Sequence, residues 1–455
     1  MPSRKTKASP SGSAKIESKS KPGGAPVVKP ASKSAAKPGP LAKSPGAKSS
    51  AIAALPAPTA KPPKSIASLV GNSAKPPKKV AMRIEKDTMG EMDVPADALY
   101  GASTQRAVLN FPVSGRPVPE RIIKAYALIK AACATVNNRL GRLDRKRTDA
   151  IVEACHEIKD GLAAFGGLHK HFPVDVFQTG SGTSTNMNVN EVVANLVCLR
   201  NHKPIGSSKN EEYLKAGGVH PNDHVNMGQS SNDTFPTAMH VAAAIAIQHE
   251  LLPAVQMMAK QLDKHAAAWD KIVKIGRTHL QDATPIRLGQ EFSGFASQMH
   301  HAEERLHRAL QPLGELPIGG TAVGTGINTH EEFGSLVAAE LSRETGVHFR
   351  EASNHFEAQH AKDAFVEASG HLATVAISIT KIANDIRWLG SGPRCGLGEL
   401  VLPAVQPCSI ASNAGCAPRW CSASSVCRPW GSSWRAISAR AATPKPPPSW
   451  RCSMC

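Results

Sequence analysis

The sequence predicts a mainly α-helical protein in which a loop-rich N-terminal domain is followed by a long helical bundle. Three observations carry that prediction. Apolar residues recur at spacings of three and four over segments too long for strands. Aromatic residues make up 4% of the chain against 41% hydrophobic residues, a balance that suits Ala/Leu/Ile helices better than a β-sandwich. The polar runs at 180–191 and 220–237 each lead into a segment with helical spacing.

Residues 1–80 hold 16 Lys or Arg and one acid, Glu17, among Pro, Ser, Ala and Gly. With almost no large apolar side chains, this segment cannot bury enough surface to offset the entropy of ordering, so a disordered basic tail is expected. Its charge is mainly Lys and its prolines spoil an amphipathic helix, which argues against a mitochondrial presequence. The formal charge of +18 would point to nucleic acid if it were spread over the fold. Residues 404–455, however, add six basic residues and no acid, which leaves 32 basic against 35 acidic residues for 81–403. Nucleic-acid contact is therefore expected only weakly and only through the tail. No apolar run reaches membrane-spanning length, so no membrane partner is expected. Cys133, Cys155, Cys198 and Cys395 are scattered and follow no secretory signal, as in a reduced, cytoplasmic protein.

Order is expected to begin near Met82. From there to residue 115 the turn signals Asp87, Gly90, Pro95 and Gly101 come too often for long helices, so the start of an N-terminal domain, 81–218, is expected to be loop-rich. From Pro119, suited to a first helical turn, Ile122, Ile123, Tyr126, Ile129, Cys133 and Val136 repeat at three and four. In a central domain, 219–403, longer helices are expected over 241–269, 289–311 and 355–389. In the last of these Phe365, Leu372, Val375, Ile379, Ile382, Ile386 and Leu389 mark one buried stripe, with Lys362, Glu367, Lys381 and Asp385 mostly turned away. Helices of this length pack side by side into an extended bundle. The run LPIGGTAVGTGINTH at 316–330 is expected to be a flexible or tightly turned link. It lacks both a Walker lysine and a preceding strand, which argues against a nucleotide site.

The candidate chemistry lies in three polar runs. In Gly180-Ser181-Gly182-Thr183 small residues let the backbone approach a ligand, and the N–H groups that open the next helix, with the hydroxyls, can hold a carboxylate. Gln229-Ser230-Ser231-Asn232-Asp233 offers the same groups, with Asp233 a candidate N-cap. The third run, GRTHLQDATP at 276–285, adds Thr278 and His279, the latter a group that titrates near neutral pH and can pass a proton. One run alone reads as capping; three together read as one shared anion site. No metal and no cofactor are expected: His279 has no second ligand candidate at helical spacing, and Cys452 and Cys455 lack a matching second pair.

These residues resemble the fumarase/aspartase superfamily, most closely its class II fumarases, over about residues 82–407. His279 directly after GRT, Ser231 after Ser230, and TFPTAMH at 234–240 look like fumarase, whereas LPAVQP at 402–407 leans toward ammonia-lyases. The resemblance implies a fumarase/aspartase-like fold and a metal-independent homotetramer that interconverts fumarate and (S)-malate. It also implies that Ser181, Gly182, Thr183, Ser230, Ser231, Asn232 and Thr278 bind the small dicarboxylate and that His279 activates the water. His220, Pro221, Asn222 and Asp223 would form a second, non-catalytic dicarboxylate site near the entrance. In such tetramers each active site is assembled from three subunits. Two alternatives stand beside this reading: an aspartate ammonia-lyase of the same superfamily, and a non-catalytic remnant that binds polyanions through its tail.

The pattern breaks after Arg394-Cys395-Gly396-Leu397-Gly398-Glu399. Where the resemblance leads toward GSSIMPGKVNP, this chain continues Pro407-Cys408-Ser409-Ile410 and then ASNAGCAPRW. The serine base, the lysine and asparagine ligands and the later glutamate that partners the histidine have no counterparts here. Residues 404–455 carry six of the ten Cys and four of the six Trp without helical or strand period, as out-of-frame reading of a GC-rich gene would give. A frameshift near codon 408 and impaired hydration by the chain as written are the expectations.

Overall fold

A computed structural model describes residues 81–392 and 394–403, together with the backbone of Ser438 and Ala439. The expectations for the basic tail and for the rest of 404–455 lie outside the described residues. The opening segment is more regular than its turn signals imply. Strands β1 (Met82–Asp87) and β2 (Gly90–Pro95) form an antiparallel hairpin, and α1 (Ala102–Asn110) follows. Met82 and Ile84 of β1 face solvent, whereas Val94 of β2 is buried in the core with Met92 packed against it, a period-two pair too short to stand out among the turn signals. Polar contacts add to this anchor: Arg83 donates to Glu85 at 2.7 Å and to the Ala98 carbonyl at 2.8 Å, and Arg106 grips Asp87 at 2.9 Å.

The first helical layer consists of α2 (Glu120–Arg139), α3 (Arg145–Lys159), α4 (Leu168–His171), α5 (Thr183–Arg200) and α6 (Glu211–Lys215). Pro119 stands at the N-cap of α2, one position before the expected first turn. Ile123, Tyr126, Ile129, Cys133 and Val136 are buried as their spacing requires, and Ile151, Cys155 and Ile158 of α3 pack into the same core. Helix α5 is buried almost all round and so must satisfy its own polar side chains. Its Glu191 carboxylate accepts the N–H groups of Gly101, Ser103 and Thr104 and the Thr104 hydroxyl. An acid thus caps the positive end of α1.

The bundle begins with α7 (Ser231–Ala246), which runs through a π-helical turn, Ile247–Leu251, into α8 (Leu252–Ala268). This 38-residue helix, Ser231–Ala268, is apolar and long enough by composition to cross a membrane, which no uninterrupted apolar run had indicated. Its apolar faces nonetheless pack within the protein, α7 on α2 and α8 on α9. The hairpin of β3 (Val273–Thr278) and β4 (Gln281–Arg287) follows, then α9 (Leu288–Leu313). Strand β5 (Glu315–Leu316) pairs in parallel with β6 (Arg350–Glu351) on either side of α10 (Phe333–Thr345). The helix expected over 355–389 is in fact two, α11 (His355–His360) and α12 (Asp363–Leu389), with Ala361 extended between them. Val375, Ile382, Ile386 and Leu389 of the expected stripe are buried, Phe365 and Ile379 partly so, and Leu372 is exposed. Strand β7 (Leu400–Val401) pairs with β8 (Ser438–Ala439).

Candidate active site

Two of the three polar runs meet at the start of two helices. Gly182, in the left-handed region with φ +71, turns the chain into α5, and a Cβ at that position would overlap the Phe235 ring of α7. Only glycine lets the two helix ends come this close. There Ser181 Oγ lies 2.8 Å from Thr183 Oγ1, which lies 2.8 Å from Ser231 Oγ. The Gln178 amide caps α5 from outside, accepting the Thr185 N–H at 3.0 Å and donating to its hydroxyl at 2.7 Å. By position, the N–H groups of Thr183 and Ser184 have no carbonyl one turn back to meet. Two helix dipoles and a row of hydroxyls therefore converge on one exposed spot, an arrangement suited to a carboxylate.

At α7 the structure corrects one assignment. Ser230 is the N-cap, its hydroxyl accepting the Asn232 N–H at 3.3 Å, while Asp233 sits three residues on and accepts the Ser230 N–H at 2.9 Å. That is a capping box, which the S-x-x-D spacing already contains. The second oxygen of Asp233 accepts the N–H groups of Gly319 at 3.2 Å and Thr321 at 2.9 Å, and Asn232 Nδ2 donates to the Ala322 carbonyl at 2.6 Å. The glycine-bearing segment 316–330 is therefore a wall of the site rather than a link beside it. Burial pushes Asp233 up to about 7 despite its three N–H donors. Below these groups Lys130 of α2 is wholly buried, donating to Asn186 at 2.7 Å, Asn226 at 2.8 Å and Gln229 at 2.9 Å, and burial pulls it down to about 8. Sequence reasoning missed Lys130, Gln178 and the glycine segment. A lysine inside a helical repeat looks like a surface residue, Gln178 caps Thr185 from just outside the polar run, and the glycine segment acts through contacts distant in sequence.

The third run is not brought to the first two within one chain. Thr278 and His279 are exposed at the tip of the β3–β4 hairpin, and among the described residues the His279 ring makes no hydrogen bond. His279 and Leu280 form a two-residue turn with φ +54 and +61, between Thr278 and Gln281, which pair across it. Left-handed backbone at two non-glycine residues is strain, and strain of this kind clusters at functional positions. The fourth group, His220, Pro221, Asn222 and Asp223, opens a π-helical turn, Pro221–Val225, preceding the α7 run. His220 Nδ1 lies 3.0 Å from Asp223 Oδ2 and accepts the Asp223 N–H at 3.2 Å. Burial lowers the His220 imidazole below its ordinary value, against the pull of Asp223. Asn222 and Asp223 are exposed, Pro221 is buried and His220 half-buried.

No group of three His, Cys, Asp or Glu side chains is gathered as a metal site among the described residues. A groove of about 510 Å³ beside α2 and the π-helical turn at 247–251 contains none of the residues above. Its Arg121–Glu250 and Lys159–Glu344 pairs largely neutralise one another. The convergent hydroxyls and helix ends therefore remain the strongest site.

The family model described as "Lyase" matches residues 90–410. The class II fumarate hydratase of Corynebacterium efficiens is 55% identical over 328 residues, covering 71% of this chain and 65% of that protein. That of Nitrosomonas europaea is 53% identical over 325 residues, covering 71% of this chain and 68% of its own length. Among solved structures, a class II fumarase from Schistosoma mansoni superposes with a TM-score of 0.66 at 38% identity, over 72% of this chain and 70% of that one. A fumarate lyase:delta crystallin from Brucella melitensis, solved with cobalt bound, gives 0.65 at 42% identity, over 72% and 69%. The chain thus spans about two thirds of the length of such relatives. A mainly helical architecture, two hydroxyl-bearing helix ends meeting at one spot and a match over most of the folded residues agree: the chain belongs to the lyase family that includes the class II fumarate hydratases.

Proposed function

We propose that the described residues carry the dicarboxylate-binding part of a fumarate hydratase, built for the reversible addition of water to fumarate to give (S)-malate. The contact of Thr183 Oγ1 with Ser231 Oγ at the meeting of two helix N-termini carries this reading. In it Ser181, Gly182, Thr183, Ser230, Ser231, Asn232 and Thr278 bind the substrate, and His279 handles the proton of the water that adds or leaves. Residues 81–218 form the N-terminal lyase domain and 219–403 the central bundle.

Removing a proton beside a carboxylate places a second negative charge on that end of the substrate. Fixed neutral donors stabilise this charge as it develops without clamping the product too tightly. The exposed hairpin tip fits a homotetramer in which His279 of one subunit reaches the helix ends of another, and His220, Pro221, Asn222 and Asp223 form an accessory dicarboxylate site. The chain is proposed to be cytoplasmic and, lacking a counterpart of the serine loop, impaired in turnover.

The test is made on the full chain. Calorimetric titration with fumarate should show binding that Thr183→Ala and Ser231→Ala each weaken about 10-fold or more, because a hydrogen bond to a charged group is worth roughly 1.5–3 kcal/mol. Absorbance at the fumarate double bond should show no turnover. Absent binding by the unaltered chain would reject the site, and robust turnover would reject the impairment.

A further inference from the structure

The hairpin that carries His279 has little to hold it by hydrophobic burial. Six of the seven residues of β4 are exposed, and a lone two-stranded hairpin is marginal in water. Four charged groups meet along its first strand, from Lys274 near the root to Arg277 beside the tip. Lys274 Nζ lies 2.6 Å from Glu399 Oε2 and 2.5 Å from Glu291 Oε2, and an Arg277 guanidinium nitrogen lies 2.7 Å from Glu399 Oε1. Lys274 is nearly buried, with Glu399 and Arg277 about four-fifths covered.

Lys274 and Arg277 are three apart on β3, an odd spacing that in a flat strand points to opposite faces. Here the pairing slips by one residue between Ile275 and Arg277, so that Ala283 and Thr284 of β4 together oppose Gly276. The twist that such a bulge adds lets both side chains reach one carboxylate. A Cβ on Gly276 would press on the Thr284 carbonyl at 2.7 Å, so the bulge requires that glycine. The backbone that carries this carboxylate is anchored, since the Glu399 N–H donates to the Leu389 carbonyl at the end of α12 at 2.9 Å. Glu291 lies in the first turn of α9, where an acid is favoured.

We propose that Glu399 is a positioning residue: through Arg277 and Lys274 it ties the β3–β4 hairpin to the end of α12 and thereby fixes the place of His279. The value of that place for hydration rests on the function proposed above; the tie itself does not. The test uses the full chain and needs no turnover. In hydrogen–deuterium exchange, Glu399→Gln should speed exchange of the hairpin amides about 10-fold or more, the effect of losing a charged hydrogen-bond partner, with α5 and α7 unchanged. Arg277→Met should give a smaller change of the same kind, and Arg277→Lys should stay near the unaltered chain.

With 13C-labelled histidine, assigned by His279→Gln, the backbone 13Cα resonance of His279, displaced by its φ of +54, should move to the position of an unstructured histidine in Glu399→Gln. If Glu399→Gln disrupts the whole fold, Arg277→Met, which removes one arm of the tie, decides alone. Hairpin exchange at the original rate in the folded variants overturns the proposal. So does faster exchange with an unmoved His279 resonance, because Glu399 would then be structural only. Loss of fumarate binding by the unaltered chain together with the expected exchange pattern would reject the proposed function and leave the tie standing.

Discussion

His279 occupies a conformation that its own chemistry does not favour. In a two-residue hairpin turn with both φ angles positive, Asn-Gly is the natural choice, and each ordinary L-residue costs roughly 1–2 kcal/mol there. The chain nevertheless places a histidine at φ +54 and a leucine at φ +61. Hairpin stability and side-chain function should therefore respond to substitution with opposite sign. His279→Gly should stabilise the hairpin by about 1 kcal/mol, the left-handed strain relieved less the extra freedom of the unfolded glycine, while removing the only imidazole at the tip. Slower amide exchange over the hairpin, measured on the full chain, is the expected result. Faster exchange would mean that the ring makes stabilising contacts that outweigh its backbone strain.

At the scale of the element, legibility followed burial. Helices α2, α8, α9 and α12 could be read because one face of each is apolar at three and four. Strands β1 to β4 could not, because their apolar pairs, such as Met92 and Val94, alternate over only two positions and sit among frequent turn signals, while charged contacts do much of the holding. The break between α11 and α12 has no proline or glycine to announce it. In the site, the hydroxyl runs stood out because so many small polar residues at a helix start have few other uses. The wall at 316–330 depends on contacts some 90 residues apart, such as Asn232 with Ala322, and no local pattern encodes these.

Asp175 belongs to this scale too, since it fastens the segment leading into α5. It accepts the Ser114 and Gly115 N–H groups at 2.7 Å each, the Phe177 N–H at 2.8 Å and the Ser114 hydroxyl at 2.8 Å. Burial alone would raise its carboxyl; the Phe177 N–H, the Ser114 hydroxyl and the Ser114 and Gly115 N–H groups outweigh it and hold the group down at about 2. A depressed carboxyl stabilises the fold fully above its unfolded value near 4, and that stability is lost as pH falls from about 4 toward 2. Asp175→Asn should therefore destabilise the chain at pH 7 and flatten this part of the acid limb in denaturant titrations. An acid limb equally steep in the variant would show that other carboxylates govern it.

For the whole molecule, the question is what covers α12. This 27-residue helix is about 40 Å long at 1.5 Å per residue, and its buried stripe packs on α9. On its remaining surface Val366 is 72% exposed, Ile377 70% and Trp388 57%. Single exposed apolar residues are ordinary, but a row of them along one helix marks an association surface or an aggregation liability. A second copy of the same helix would bury this row and match the homotetramer proposed above, in which hairpin tips and helix ends from different subunits complete each site. Sedimentation velocity on the full chain at micromolar concentration should then show dimers or larger species. The pair Val366→Glu and Ile377→Glu, which puts charges on the exposed face and leaves Val375, Ile382 and Ile386 in place, should shift the chain to monomer with its helical circular dichroism unchanged. A chain that is already monomeric without these substitutions would leave α12 uncovered by its own kind, and an active site shared between subunits could not form.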